Sequence, residues 1–386
     1  MLSIIVTTYN SEKTLKKCLD SVLKPSLSFI SEVVVCDDGS TDNTSKILAQ
    51  YEKKYNFLKV FFHKENLGGG AARNTAIKFS KNDYLYVLDS DDIVHQPSLT
   101  KLFFEIKDTS LSGVHYGLAC YFLKFPYFYF NIGNYYSIFG NEITLQKSLK
   151  LGYQCVNFLF TKKAWEEAGG YPEDYAWDTQ GFTFRFLSCN DSVKVIKNTR
   201  YYHRKFLDNS SYFDRENASG RSKINAWLAI ENIENKIGDQ ELFYIICNDF
   251  FSKNDSLDLI RLSLKNPNLI EYKHDTDNNK KLLNEFRLSI RKFELGEFTS
   301  SKLHAENALE YLPGSFLLIY NLQRSKLAIS GVNARKVKLQ AFDELMINNN
   351  LVTRASTNKI SFLIRLKYYL KSILFPLLNM INPNDN

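Results

Sequence analysis

Four short runs decide the fold: Leu2-Ser3-Ile4-Ile5-Val6-Thr7-Thr8, Glu32-Val33-Val34-Val35-Cys36-Asp37, Leu58-Lys59-Val60-Phe61-Phe62 and Tyr84-Leu85-Tyr86-Val87-Leu88. Each is rich in β-branched or aromatic residues. Between them lie stretches with helical periodicity, at Ser11–Leu23, Asp42–Tyr55 and Gly70–Ser80. Strand–helix alternation at this spacing predicts right-handed βαβ units and a parallel sheet. The nearly unbroken apolar character of the runs predicts strands covered on both faces.

Beyond residue 110 the alternation loosens. Val114–Leu123, Val156–Thr161, Val193–Ile196 and Arg200–His203 read as strands, and Thr179–Ser188 as a helix. The aromatic stretch Phe125–Phe139 either stacks on a bound ligand, through Tyr127–Tyr136, or packs the core or the interdomain seam. From residue 222 helical periodicity takes over, which puts a domain boundary near Asn217–Ser222. The expected organisation is a Rossmann-like α/β domain at 1–221, a helical domain at 222–350 and a basic amphipathic tail at 351–386. Gly296, Phe298, Ser301, Ala305, Ala308 and Pro313 fall at the spacing of one tetratricopeptide-like helical hairpin, where small residues let two helices approach closely; an ordinary helical bundle fits the pattern equally. Such a region suits a protein partner. The apolar stretch Lys359–Ile381 carries Arg365, Lys367 and Lys371, so it either lies in an anionic membrane interface or docks as a helix.

The chain has 386 residues, a hydrophobic fraction of 44% and a formal net charge of +7. That charge is too modest for this length to argue for nucleic acid, and it suits an anionic substrate or membrane surface. The cysteines Cys18, Cys36, Cys120, Cys155, Cys189 and Cys247 stand singly, which argues against a zinc site or disulfide framework and for reduced core thiols in a cytoplasmic protein. Met1 runs straight into the first strand without a basic leader, and there is no apolar run of about 18 residues. The expectation is therefore a cytoplasmic location, with the tail allowing peripheral contact at the inner membrane face.

Four polar clusters follow the four strands: Thr7-Thr8-Tyr9-Asn10, Asp37-Asp38-Gly39-Ser40-Thr41-Asp42, Asn66 to Asn74 with three consecutive glycines, and Asp89-Ser90-Asp91-Asp92. Ligands of open parallel sheets bind beyond the carboxyl ends of the strands. Each cluster alone could be a turn or a helix cap. Several carboxylates at the end of an apolar strand repel one another unless a cation sits among them. Asp-x-Asp spacing suits Mg²⁺ or Mn²⁺, hard ions that share oxygen ligands with substrate phosphates.

These four segments, in this order and spacing over residues 1 to about 205, resemble the inverting family 2 glycosyltransferases with the GT-A fold. The resemblance implies a nucleoside diphosphate sugar donor, a UDP-sugar by the acid at Asp38, and a glycan acceptor. It places Thr7 and Tyr9 along the nucleotide base, Asp38 on the base with Asp37 beside it, and Arg73 on the diphosphate side. Asp89 then serves the ribose, and Asp91 and Asp92 the metal. The family's base follows a Gly-Gly-aromatic lead-in, matched by Gly169-Gly170-Tyr171, and falls on Asp178, a natural helix cap. Thr179 stands where the family has a second acid, a departure that puts turnover in doubt because a threonine hydroxyl is no base near neutral pH. Asp174 is the fallback base. His203 matches a further metal ligand and Arg204 a phosphate partner.

Two rivals remain. A sugar-nucleotide nucleotidyltransferase would carry a Gly-rich basic loop directly after the first strand, where Thr-Thr-Tyr-Asn stands. A non-catalytic nucleotide-sugar binding or scaffold protein is compatible with Thr179.

Overall fold

The structure is a computed structural model. It describes residues 1–24, 27–122, 129–151, 157–175, 177–204, 222–231, 233–239, 242–243, 246, 277–313 and 315–348. Two compact units are resolved, Met1–Phe342 and Asp343–Asn386. The expected boundary near 217–221, the tail at 351–386, Cys155 and Cys247 lie outside the described residues.

Among the described residues one nine-stranded sheet runs in the order β3-β2-β1-β4-β8-β5-β9-β7, with β6 paired to β5. β1 (Leu2–Thr8), β2 (Ile30–Asp37), β3 (Leu58–Phe62) and β4 (Tyr84–Asp89) are mutually parallel and coincide with the four apolar runs. α1 (Leu15–Leu23), α2 (Thr44–Lys54) and α3 (Gly69–Phe79) connect them as crossovers, and α4 (Gln96–Thr109) follows β4. Burial explains why the strands alternate so little. One core packs Ile4, Val6, Val33 and Val35 against α1 and α4. The other packs Ile5, Val34, Leu85 and Val87 against α3 and later helices. Both faces are dry, as continuous Val/Ile/Leu runs require.

The second half is mixed. β8 (Leu159–Thr161) inserts antiparallel between β4 and β5 (Gly113–Phe122), β9 (Val193–Arg204) returns parallel to β5, and β7 (Glu142–Ile143) closes the edge. The two late strands read from the sequence are one. At Asn198 the backbone is left-handed, and the Thr199 hydroxyl accepts from Gly117 N at 2.9 Å, so the register shifts without ending the strand. The aromatic stretch contains β6 (Tyr129–Asn134) and α5 (Tyr135–Phe139). Tyr135 packs on His115 and Tyr116, so this end of the stretch covers the core. α4, α5, β7 and α6 (Leu145–Leu151) were not legible in the sequence. α7 (Lys162–Glu167) and α8 (Asp178–Cys189) complete the α/β part.

The helical part contains α9 (Ser222–Glu231), α10 (Asp277–Glu294), α11 (Phe298–Tyr311), α12 (Phe316–Ile329) and α13 (Ala334–Asn348). α10 and α11 pack as a helical hairpin. Ser301, Ala305 and Ala308 are fully buried along the contact, and the Ser301 hydroxyl donates to Ser289 O at 2.7 Å. Among the described residues no helix is long and apolar enough to cross a membrane. Cys18, Cys36 and Cys120 are buried, but Cys189, at the end of α8, is exposed.

Candidate active site

The strand register lines the clusters up at one sheet edge. Thr7 lies opposite Asp89, and Thr8 opposite Asp37. The loops are then tied to one another. Asn10, with a left-handed backbone, accepts from Thr41 N at 2.8 Å, and its own N–H donates to the Ser40 hydroxyl. Asp38 N donates to Thr8 O at 2.9 Å. Tyr9 is left 46% exposed, a flat aromatic surface at the rim.

Asp37 and Asp38 are buried. Asp37 accepts from the hydroxyl and amide of Ser40, and burial raises its pKa above the ordinary carboxylate value. Asp38 takes a proton bond from His63 Nδ1 at 2.7 Å and the amides of Leu67 and Gly68 at 2.9 and 2.8 Å. Its carboxylate thus fastens the second cluster to the glycine-rich third. The structure shows Asp38 as a loop brace, with both oxygens engaged.

Arg73 leaves α3 and is buried between two acids. Its Nη2 donates to Asp89 Oδ1 at 2.7 Å, and its Nη1 is bonded to Asp178 Oδ2. The ring of Tyr171 lies 5.6 Å from the guanidinium centre. Asp89 is held from the other side by Asn157 Nδ2 at 2.7 Å, which also donates to the Tyr201 hydroxyl. Burial disfavours the Asp89 charge, but Arg73 and Asn157 outweigh it and lower the pKa. Asp178 goes the other way: burial raises its pKa, with Arg73 opposing. Asp178 is the first residue of α8, not its cap; Trp177 occupies the cap position and its side chain does not cap the helix. α3 approaches this segment closely enough that a Cβ on Gly70 would fall 1.8 Å from Pro172 O, so only glycine fits there.

The acidic loop after β4 divides its labour. Asp92 is fully buried and accepts from the Tyr201 hydroxyl at 2.5 Å, His203 Nδ1 at 3.0 Å and Arg204 N at 2.8 Å. Its oxygens are committed to β9, so the geometry makes it a partner that orients His203 rather than a ligand pointing outward. Burial lowers the His203 pKa, but Asp92 outweighs this and lifts it to about 9. Arg204 Nε donates to Asp91 O at 2.8 Å. The Asp91 carboxyl, by contrast, is pushed up to about 7 by burial and by the charges of Asp92 and Asp89. Among the described residues no three His, Cys, Asp or Glu side chains converge as a ready-made cage. A cation completed by substrate phosphates needs only one or two protein ligands, and the Asp91 carboxyl, whose ionised form burial and the neighbouring acids disfavour and His203 favours, is the group such an ion would stabilise. The residues present therefore fit an ion shared with a phosphorylated ligand, not one held by protein alone.

Residues 3–169, a little under half of the chain, match the family model described as glycosyl transferase family 2. Residues 3–169 form a family 2 glycosyl transferase domain. This chain is similar to a poly(ribitol-phosphate) beta-glucosyltransferase of Bacillus spizizenii, 40% identical over 102 residues, or 26% of this chain and 16% of the relative. It is similar to glycosyltransferase GlyG of Streptococcus pneumoniae, 33% identical over 138 residues, or 36% and 40%. It is also similar to a chondroitin synthase of Escherichia coli, 30% identical over 178 residues, or 45% and 24%. The chain thus spans well under half the length of each of these relatives. Among solved structures, S. aureus TarS 1-349 in complex with UDP-GlcNAc shares the fold, with a TM-score of 0.50 and 20% identity over 90% of this chain and 92% of that one.

Two residues at the edge of the glycosyl transferase domain carry more than the sequence suggested. Asn157 sits in a left-handed backbone just before β8 and steers Asp89. Asn74 on α3 spans the loop ahead of α8: its amide donates to Tyr171 O at 2.8 Å and Glu173 Oε1 at 2.9 Å, and its oxygen accepts from Tyr171 N and Trp165 Nε1. Asn74 was visible as the last residue of the glycine-rich cluster, but its partners lie about 100 residues away. Nothing local marked Asn157.

Proposed function

We propose that this protein is an inverting glycosyltransferase that moves a sugar from a UDP-sugar to a glycan hydroxyl, with Mg²⁺ or Mn²⁺ assisting. The observation that carries it is the meeting of Asp89, from the carboxyl end of β4, and Asp178, from the start of α8, on one guanidinium. A donor-side acid and an acid suited to proton abstraction thus share one small space. That the structure TarS 1-349 is described in complex with UDP-GlcNAc supports UDP as the nucleotide. The named relatives support a cell-surface glycan or glycopolymer as the acceptor.

In this reading Tyr9 and Thr7 line the base, while Asp37 and Asp38 fix the loops beneath it. Asp89 faces the ribose. Asp91, with His203 oriented by Asp92, would hold the cation, which when bound offsets charge developing on the leaving phosphate. Arg204 adds a fixed positive charge on that side. Asp178, with its raised pKa, takes the acceptor hydroxyl proton. The freed oxygen attacks the anomeric carbon opposite the nucleotide, the carbon–oxygen bond to UDP breaks, and the configuration inverts. Arg73 moves off Asp178 as substrate enters, or shares it. Asp174 is less suited to the role, because its ion pair with Lys338 outweighs the raising effect of burial and lowers its pKa. A cytoplasmic site with tail-mediated membrane contact fits a nucleotide-sugar donor.

The Arg73–Asp178 pair also favours a second reading, nucleotide-sugar binding without turnover, in which the carboxylate stays neutralised. Calorimetry of a nucleotide panel with and without Mn²⁺, on wild type and Asp91→Ala, tests the donor site. Manganese-dependent UDP binding weakened in the variant is expected. Binding followed by no sugar release from any UDP-sugar selects the second reading.

A further inference from the structure

We propose that Lys338, on α13 of the helical part, is a positioning residue for sugar transfer that sets the loop delivering Asp178; this rests on the glycosyl-transfer function proposed above. The loop's described residues are Gly170–Tyr175 and Trp177. On its sheet side it is well held. Asn74 clasps Tyr171 and Glu173, and Tyr171 stacks on Phe182 with ring centres 4.0 Å apart. Pro172 packs where Cβ atoms on Gly70 and Gly181 would collide with it.

On the other side the anchor is electrostatic. Asp174, four residues before Asp178, meets Lys338 Nζ at 2.8 Å. The same ammonium lies 2.9 Å from Glu294 and 3.9 Å from Glu231. Glu231 in turn pairs with Arg324 at 2.6 Å, and Arg324 is sandwiched near Phe293 and Tyr320 at 4.4 and 5.4 Å. Glu231 and Arg324 are fully buried and Lys338 nearly so. α9, α10, α12 and α13 each supply one member of this network, and the catalytic loop supplies the fifth.

A buried ammonium is costly unless compensated, so Lys338 has a strong hold on each carboxylate it meets. Asp174 is its only partner outside the helical part among these three. Removing Lys338 leaves Asp174 free to turn to water and takes the restraint off the loop. A shift of about 1 Å in a reacting group far from the mutation lowers the rate about a hundredfold. The helical part is thus built into the catalytic geometry and is not merely appended to it.

The test uses the full chain with Lys338→Met, Lys338→Arg and Asp174→Asn. kcat and KM are measured on the UDP-sugar that wild type turns over, UDP affinity by calorimetry, and hydrogen exchange peptide by peptide. The expected result for Lys338→Met is a kcat lowered about ten- to a hundredfold. UDP affinity should stay within about twofold. Faster exchange should be confined to 170–178, sparing the β1 peptide, and Lys338→Arg should recover most of kcat. If Lys338→Met does not fold, Asp174→Asn carries the test, with the same local signature expected. Wild-type kcat in a folded Lys338→Met or Asp174→Asn overturns the proposal, as does exchange raised uniformly. A wild-type chain that binds UDP but shows this insensitivity sinks Lys338 alone. A wild-type chain that does not bind UDP at all sinks the transferase reading beneath it.

Discussion

The protein has two buried charge clusters, and they are balanced differently. At the sheet edge Arg73 satisfies Asp89 and Asp178, and β9 satisfies Asp92, yet Asp91 is left with a carboxyl pushed up to about 7. In the helical part Arg324 and Lys338 draw in Glu231, Glu294 and Asp174, each with a partner within 4 Å. The first cluster leaves the Asp91 carboxyl with its ionised form disfavoured by burial and two neighbouring acids, and such a perturbed acid beyond a strand end marks a candidate ligand site. The second is built from ion pairs among its own members, which tie four helices to one loop. The difference separates a site from a brace, although both consist of the same residue types.

The largest effect that tests this division is Asp178→Asn. We expect kcat for sugar transfer to fall about 10²- to 10⁴-fold while UDP affinity measured by calorimetry stays near wild type; unchanged turnover would move the base elsewhere. Next comes Arg324→Met in the helical cluster. Stranding Glu231 should cost about 3–5 kcal/mol of stability by urea denaturation, and a loss under 1 kcal/mol would show that the cluster is no brace. Asp91→Asn tests the perturbed acid. The gain in UDP affinity that Mn²⁺ provides should fall at least about tenfold, with metal-free binding unaffected or tighter. The smallest effect is a control in neither cluster. Buried His115 donates from Nδ1 to Tyr116 O at 2.7 Å, and burial lowers its pKa to about 4. It is neutral when folded but protonated when unfolded below its ordinary 6.5, so stability should drop as pH falls from 6.5 towards 4. In His115→Leu that slope should be shallower by about one proton, read from melts across this range.

The two clusters were also unequally legible. The sheet edge could be read because a parallel sheet delivers each chemical residue to the end of a strand, within a few positions of an apolar run. Thr7, Asp37, Asp89 and Asp91 all lie there. The helical cluster could not. Glu231, Glu294, Arg324 and Lys338 come from four helices and carry no local motif. Buried charge is uncommon enough that a Lys or Arg on a helix is read as solvated. Within the edge itself Asp38, Asp92 and Arg73 also bond neighbouring loops and strands, partners about 16 to 112 positions away that no local pattern marked, because buried polar groups must be satisfied. α4, β7 and the single bulged β9 escaped because packing overrode weak local signals.

The tie between Asp92 and β9 also has a consequence for how the protein is made. Its three donors, on Tyr201, His203 and Arg204, follow it by 109 to 112 positions. At a synthesis rate of about 5–20 residues per second, the carboxylate emerges from the ribosome about 5–20 s before them. The first four strands can be paired in that interval, but the acidic loop is finished only when β9 docks. A nascent chain therefore shows chaperones a half-made edge for seconds, and the acidic edge comes into being in one late step.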